Sequence, residues 1–189
     1  LSLHDALPIL PLATFAMEAY GDDPCALFMP KTKFADNAMD EKTTRLIAQM
    51  HKAITIIQFK LEGEIIRRRP EFEMDDRMLL HHIDLKRGVV HIDGKDYTLK
   101  DTNWPTLDPK DPYRLSIEEE DLIRKILHSF ESSEKMKKHM RCFFRHGGMY
   151  QVCNSNLLFH ASIPMNPDGT FKSVRILGQD YKGRALLDR

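Results

Sequence analysis

The strongest pattern in the chain lies between Asp40 and Arg69, where Leu46, Met50, Ile54, Ile57, Leu61 and Ile65 recur at three- and four-residue steps. That period predicts one long helix with this stripe buried. Asp40 is placed to cap its start. Pro70 stops it, and Arg67, Arg68 and Arg69 sit where cations offset the negative end of the helix dipole. The stripe is not a clean heptad, so a packed helix is expected rather than a coiled coil. A shorter helix is predicted over Leu10–Tyr20, ended by Gly21 and Pro24. Phe28–Asn37 reads as a loop and Met74–His82 as another short helix.

The period then changes. Val89-Val90-His91-Ile92, Asp93-Gly94 and Tyr97-Thr98-Leu99 predict a β-hairpin closed by a tight Asp-Gly turn. Pro105, Pro109 and Pro112 make Asp101–Tyr113 an extended loop. Ser116 and Glu119 form a capping box that opens a helix over Ile117–Phe130, and another helix follows over Ser133–His146, ended by Gly147-Gly148. Met149–Cys153 and Asn156–His160 read as paired strands, and Val174–Leu177 as a further strand. The apolar run Leu157-Leu158-Phe159 is expected to carry its strand into a core and to end on His160. Internal repeats and low-complexity segments are absent from the sequence.

A chain of 189 residues is long enough for a domain with a real core. Lys and Arg number 28 against 28 Asp and Glu, so no global basic field exists to draw in nucleic acid or an anionic membrane. No apolar run is long enough to span a bilayer. Cys25, Cys142 and Cys153 are odd in number and lack CxxC spacing, which fits a reducing, cytoplasmic setting better than a disulfide framework. The same lack of a CxxC pair argues against a zinc site built from Cys142, His146 and Cys153. The acidic run Glu118–Asp121 complements a helix N-terminus, His81-His82 reads as a polar helix end, and the methionines read as core fillers.

The candidate chemistry centres on Asn154–Met165. A strand that delivers a histidine at its C-terminal end, just before Pro164 and the turn signal Asn166-Pro167-Asp168-Gly169, can mount a metal ligand; a rim or core histidine is the alternative use of His160. The spacing His-x-x-Ile-Pro resembles the first C-terminal metal histidine of calcineurin-like metallophosphatases. The runs His51–Glu62, Ile66–Arg77, Pro105–Tyr113 and Lys182–Arg189 together resemble one family, the class III, Firmicutes-type fructose-1,6-bisphosphatases. The resemblance is collinear from about Leu10 to Arg189. One departure is Ala161, where the family usually has glycine.

The family's Asp-x-His, Gly-Asp-x-x-Asp-Arg-Gly and Gly-Asn-His-Asp motifs do not occur here, nor does its late Gly-His at a matching place. Members are several times longer, so the resemblance implies an internal fragment. Leu1–Ile9 reads as an in-frame translation of a sequencing-adapter oligonucleotide and is set aside. The implied fold is an α+β fragment. Residues 10–146 would form a mainly helical insertion with a hairpin near 89–99, and residues 147–189 a few strands of a calcineurin-like α/β metallophosphatase sandwich.

The resemblance also implies the chemistry. The whole enzyme would hydrolyse fructose 1,6-bisphosphate to fructose 6-phosphate and phosphate in gluconeogenesis. It would use a divalent metal pair, Mn2+ suiting imidazole and oxygen ligands, about 3.5–4 Å apart. His160 would be one ligand and the others would lie outside the chain, so the fragment alone should be inactive. Arg67, Arg68 and Arg69 suit substrate phosphate or simply a solvated helix end beside Glu71, Glu73, Asp75 and Asp76. Asn154 and Asn156 could orient a ligand or make turn hydrogen bonds. The expected partner is a small sugar bisphosphate, with neither nucleic acid nor membrane. Two alternatives differ in class: another calcineurin-like phosphatase, and a helical interaction module with no chemistry of its own.

Overall fold

A computed structural model describes residues 9–31, 40–160 and 162–189. The segment set aside as adapter-derived, apart from Ile9, lies outside the described residues, as do most of the Phe28–Asn37 loop and Ala161. The chain is α+β, with helices and small antiparallel sheets. It divides into two compact units, residues 1–132 and 133–189.

The first unit is organised on α2, Glu41–Arg68, which packs against α1, Ile9–Tyr20. The Asp40 carboxylate accepts the Thr43 N–H at 2.9 Å and so caps α2 as its sequence predicts. The helix ends at Arg68, and Pro70 opens a single 3-10 turn. Phe15, Ala16 and Tyr20 of α1 meet Ala48, Ala53, Ile56 and Ile57 of α2 in one core, joined by Leu122 of α3, Ile117–Ser132. A second core gathers Ile66, Met78, Leu80, Leu107 and Tyr113. Trp104, on the Pro-rich loop, packs against both.

The face that α2 buries is not the expected stripe. Of that stripe only Ile57 is buried; Leu46, Met50, Ile54 and Leu61 are half-buried, and Ile65 is 47% exposed. The buried line runs along the neighbouring face through Gln49, Lys52, Ala53, Ile56, Lys60, Gly63 and Ile66. Two physical reasons account for the rotation. Ala53 and Gly63 are small and admit close neighbours; a methyl added at Gly63 would overlap the Tyr113 ring. The polar members each have fixed partners, and lysine stems contribute apolar surface of their own.

Those partners tie the unit together. The Lys52 ammonium lies 2.5 Å from Asp23 and 2.7 Å from Asp101, and Asp23 also accepts the Cys25 N–H and the Asn103 amide, each at 2.7 Å. Two turns along, the Lys60 ammonium donates to Glu119 and to the Thr106 carbonyl, both at 2.6 Å. Glu119 also closes the capping box: its carboxylate accepts the Ser116 N–H at 2.7 Å while its own N–H donates to the Ser116 hydroxyl at 3.2 Å. Gln49 donates to the Tyr20 carbonyl at 2.8 Å and Arg45 to the Gly21 carbonyl at 2.9 Å, which satisfies carbonyls at the exit of α1.

The short helix expected over Met74–His82 is instead a succession of 3-10 turns, Asp75–Arg77 and Leu80–His82, preceded by Pro70–Phe72. Glu73 adopts a left-handed conformation (φ 51°), which breaks the helical path. The Tyr113 hydroxyl takes the Leu80 N–H at 3.1 Å, replacing a helical partner. The hairpin forms as expected from β2, Val89–Ile92, and β3, Lys95–Thr98, around Asp93 (φ 48°) and Gly94 (φ 75°). A two-residue strand, β1 at Ile83–Asp84, adds to it antiparallel, with Ile83 opposite Val90.

In the second unit α4, Glu134–His146, is capped by the Ser133 hydroxyl, which accepts the Met136 N–H at 3.3 Å. Two hairpins follow: β4, Tyr150–Cys153, with β5, Asn156–Phe159, and β6, Val174–Ile176, with β7, Gln179–Tyr181. A single turn, α5 at Arg184–Leu187, completes it. Each sheet has two strands. The expectation that β5 enters a core is corrected here: Leu157, Leu158 and Phe159 are all exposed, at 49%, 55% and 46%. Consecutive side chains of a strand point to opposite faces, so both faces of this hairpin are open. Phe143 and Phe144 of α4 are exposed as well. None of the described helices is long and apolar enough to cross a membrane.

Two outcomes follow for the buried charges. Lys60→Ala leaves Glu119 buried without its cation and should destabilise the fold by about 3–5 kcal/mol in denaturant titrations. The paired replacement Lys60→Met with Glu119→Gln, which keeps an acceptor for the Ser116 N–H, should cost much less, and equal costs would mean that the loss does not come from a stranded charge. Burial alone would raise the Asp23 pKa, but the Lys52, Cys25 and Asn103 hydrogen bonds outweigh it and hold the carboxyl below its usual value. A lowered folded pKa stabilises the fold above the unfolded value, about 3.9, and that contribution disappears as pH falls through the folded value. Denaturation midpoints should therefore drop below about pH 4, less steeply for Asp23→Asn; a variant as acid-sensitive as the parent would contradict this account.

Candidate functional site

His160 directly follows β5, and its N–H donates to the Met149 carbonyl at 3.1 Å, extending the β4–β5 ladder by one step. The residue is exposed. It lines an open cleft of about 540 Å³ together with His146, Met149, Tyr150, Gln151 and Phe159. The end of α4 and the first residues of the hairpin thus bring a second imidazole, His146, to the same cleft. The sequence offers His146 only in a zinc set with Cys142 and Cys153, which the lack of a CxxC pair argues against. Strand pairing rather than spacing supplies the proximity, since β4 begins just beyond the helix and pairs with the strand that ends on His160.

The asparagines occupy the other end of the hairpin. Asn154 (φ 49°) and Ser155 (φ 63°) form the turn, and the Asn156 amide donates to the Asn154 carbonyl at 3.3 Å. Asn156 opens β5 and His160 lies four positions further on, a rise of roughly 13 Å at about 3.3 Å per residue. The two asparagines therefore do not converge with the histidine.

Arg67, Arg68 and Arg69 belong to the first unit. Arg67 bonds Asp111 at 2.9 Å and Glu64 at 3.0 Å, with its guanidinium 4.5 Å over the Tyr113 ring. Arg68 donates to the Glu64 carbonyl at 3.2 Å. Arg69 pairs with Glu71 at 3.1 Å and lies over Phe72. A phosphate at these guanidiniums would compete with carboxylates already in place. Tyr113 lies under Arg67 alone of the three. Its buried hydroxyl, with pKa raised by burial, accepts the Leu80 N–H and stands 3.0 Å from His81 Nδ1. Burial, together with His82 and Arg67, lowers the His81 pKa. The neutral imidazole can then accept a hydrogen bond from the tyrosine hydroxyl at Nδ1.

Among the described residues no group of three or more His, Cys, Asp or Glu side chains is arranged to hold a metal ion. The described donors at the cleft are two imidazoles without a carboxylate, so the described residues do not by themselves fit a dinuclear centre. Cys142 and Cys153 are exposed free thiols. Burial pushes the Cys25 thiol up to about 11, which leaves it a weak nucleophile.

Known proteins resolve the wider context. The chain matches the family model of Firmicute fructose-1,6-bisphosphatase over residues 3–189, and it belongs to that family. It is 99% identical over 181 residues to a fructose-1,6-bisphosphatase class 3 of Parabacteroides distasonis, covering 96% of this chain and 27% of that protein. Proteins of the same name from Bacteroides fragilis and Clostridioides difficile are 65% and 54% identical, again over 96% of the chain and 27% of their length. The chain thus spans 27% of the length of these relatives. No solved structure matches it.

The hairpin that carries His160 has a correctable strain. Ser155 sits at φ 63°, a conformation costly for a residue with a Cβ. Replacing it with glycine should stabilise the hairpin by about 0.5 kcal/mol, after allowing for the extra freedom of the unfolded chain. Amide exchange across β4 and β5 should slow by roughly twofold; faster exchange would mean that the side chain is needed in the turn.

Proposed function

We propose that this chain is part of an enzyme that hydrolyses fructose 1,6-bisphosphate, with water, to fructose 6-phosphate and inorganic phosphate. Membership of the fructose-1,6-bisphosphatase family along residues 3–189 carries this reading. The substrate is a small sugar bisphosphate, and the step belongs to gluconeogenesis in the cytoplasm, in keeping with free cysteines and balanced charge. In this reading residues 10–146 are a mainly helical insertion and residues 147–189 return to the sheet of a calcineurin-like sandwich. The exposed apolar strand Leu157–Phe159 supports that division, because a strand open on both faces needs layers on either side.

His160 is proposed as one ligand of a divalent metal site, with Mn2+ the metal its imidazole and further oxygen ligands suit. The remaining ligands belong to parts of the enzyme outside this chain, so no chemical step is assigned to the residues here. Arg67, Arg68 and Arg69 are the candidates for substrate phosphate, and Asn154 and Asn156 for orienting groups.

The test uses the intact enzyme. His160→Ala should lower bound metal and phosphate release together, by on the order of tenfold or more, since even outer partners of metal ligands carry that much. The fold, followed by circular dichroism, should persist. The isolated chain should release no phosphate from the substrate with or without Mn2+. Full metal content and turnover in the variant would make His160 structural, and turnover by the isolated chain would place the catalytic groups within it.

A further inference from the structure

A cavity of about 180 Å³ lies in the first unit, between α2 and the three-stranded sheet. Val90 and Ile92 of β2, Leu99, Phe59 of α2 and Trp104 of the Pro-rich loop line it. Leu79 stands at the edge and is 40% exposed. Among the described residues the one charged group lining the cavity is Arg77, which is 62% exposed, with Glu62 3.9 Å away. None of these residues takes part in the reading of His160; Tyr113, whose ring lies under Arg67, and Leu80 also line the cavity.

Two properties decide what such a space accepts. Its walls are aliphatic and aromatic, so a sugar or a bisphosphate would lose hydrogen bonds to water without replacement. Its volume is close to that of apolar cavities of about 150 Å³, which stay dry and take up a single benzene ring. A single guanidinium at the edge then favours one negative charge on an otherwise apolar body. We propose that this cavity is a binding site for a small apolar monocarboxylate, of the size of a branched five- or six-carbon acid, with its hydrocarbon between Phe59, Val90 and Trp104 and its carboxylate on Arg77.

The chain contains one tryptophan, and it lines this cavity. Emission from Trp104 therefore reports occupancy without a label. The full chain is titrated with 4-methylpentanoate, which does not absorb, and with its neutral amide, 4-methylpentanamide. The expected result is a saturable blue shift for both, with the acid binding on the order of threefold to tenfold tighter, the range for one partly exposed charged contact. Arg77→Gln, at an exposed position, should bring the acid down to the amide and leave the amide unchanged. Ile92→Phe, which fills the cavity, should abolish the shift for both, with circular dichroism checking that the fold is kept. No saturable shift at millimolar ligand, equal binding of acid and amide in the parent, or an acid preference that survives Arg77→Gln would overturn the proposal. So would a shift that follows protein concentration alone, since a second copy would then fill the space.

Discussion

Lys52 and Lys60 hold the first unit in its shape. Both ammoniums are fully buried on the line that α2 presents to its neighbours, and each reaches acidic partners on segments far away in sequence. A buried ion pair adds little net stability, because desolvation offsets the attraction, but it penalises every arrangement that leaves a charge unpaired. The lysines therefore act chiefly on which structure forms. Lys52 sets where the chain leaves α1 and where the Pro-rich loop begins; Lys60 fixes the middle of that loop at Thr106 and the first turn of α3 at Glu119. Trp104, between the two anchor points, is thereby delivered to both cores.

Much of this architecture could be read from local signals. Asp40, Pro70, the Asp93-Gly94 turn and the Ser116–Glu119 box each act within a few residues, and each performs as its chemistry suggests. The rotation of α2 was not legible, because a period analysis counts lysine as polar and glycine as nothing. Here the lysines meet carboxylates 29 and 59 residues away, and Gly63 makes room for the ring of Tyr113. Information of that range is not contained in any window of sequence. The 3-10 path through Met74–His82 was hidden for the same reason, its anchors being the Tyr113 hydroxyl and the second core.

The candidate site divides the same way. Family motifs point to His160, and the strand pairing that carries it is visible in the two segments Met149–Cys153 and Asn156–His160. The presence of His146 in the same cleft depends on where α4 ends relative to β4, a matter of register that residue types alone do not reveal. Arg67, Arg68 and Arg69 were picked for charge, yet what distinguishes Arg67 is its bond to Asp111 and its position over Tyr113, both 40 or more residues onward.

The long-range ties of the first unit also order events in time. Asp23 accepts a bond from Asn103, 80 residues later, and Lys60 closes on Glu119, 59 residues later. Closing loops of that length is slow compared with forming a helix or a hairpin. On a ribosome, α1 and α2 emerge early but their buried lysines have no complete set of partners until the chain has been made past Glu119. The β4–β5 and β6–β7 hairpins pair residues only a few positions apart, so each can zip as soon as it is exposed. Synthesis thus carries a long interval in which Lys52 has Asp23 but waits for Asp101, and Lys60 waits for Glu119; this interval is when the first unit is most open to capture by chaperones or to misassembly.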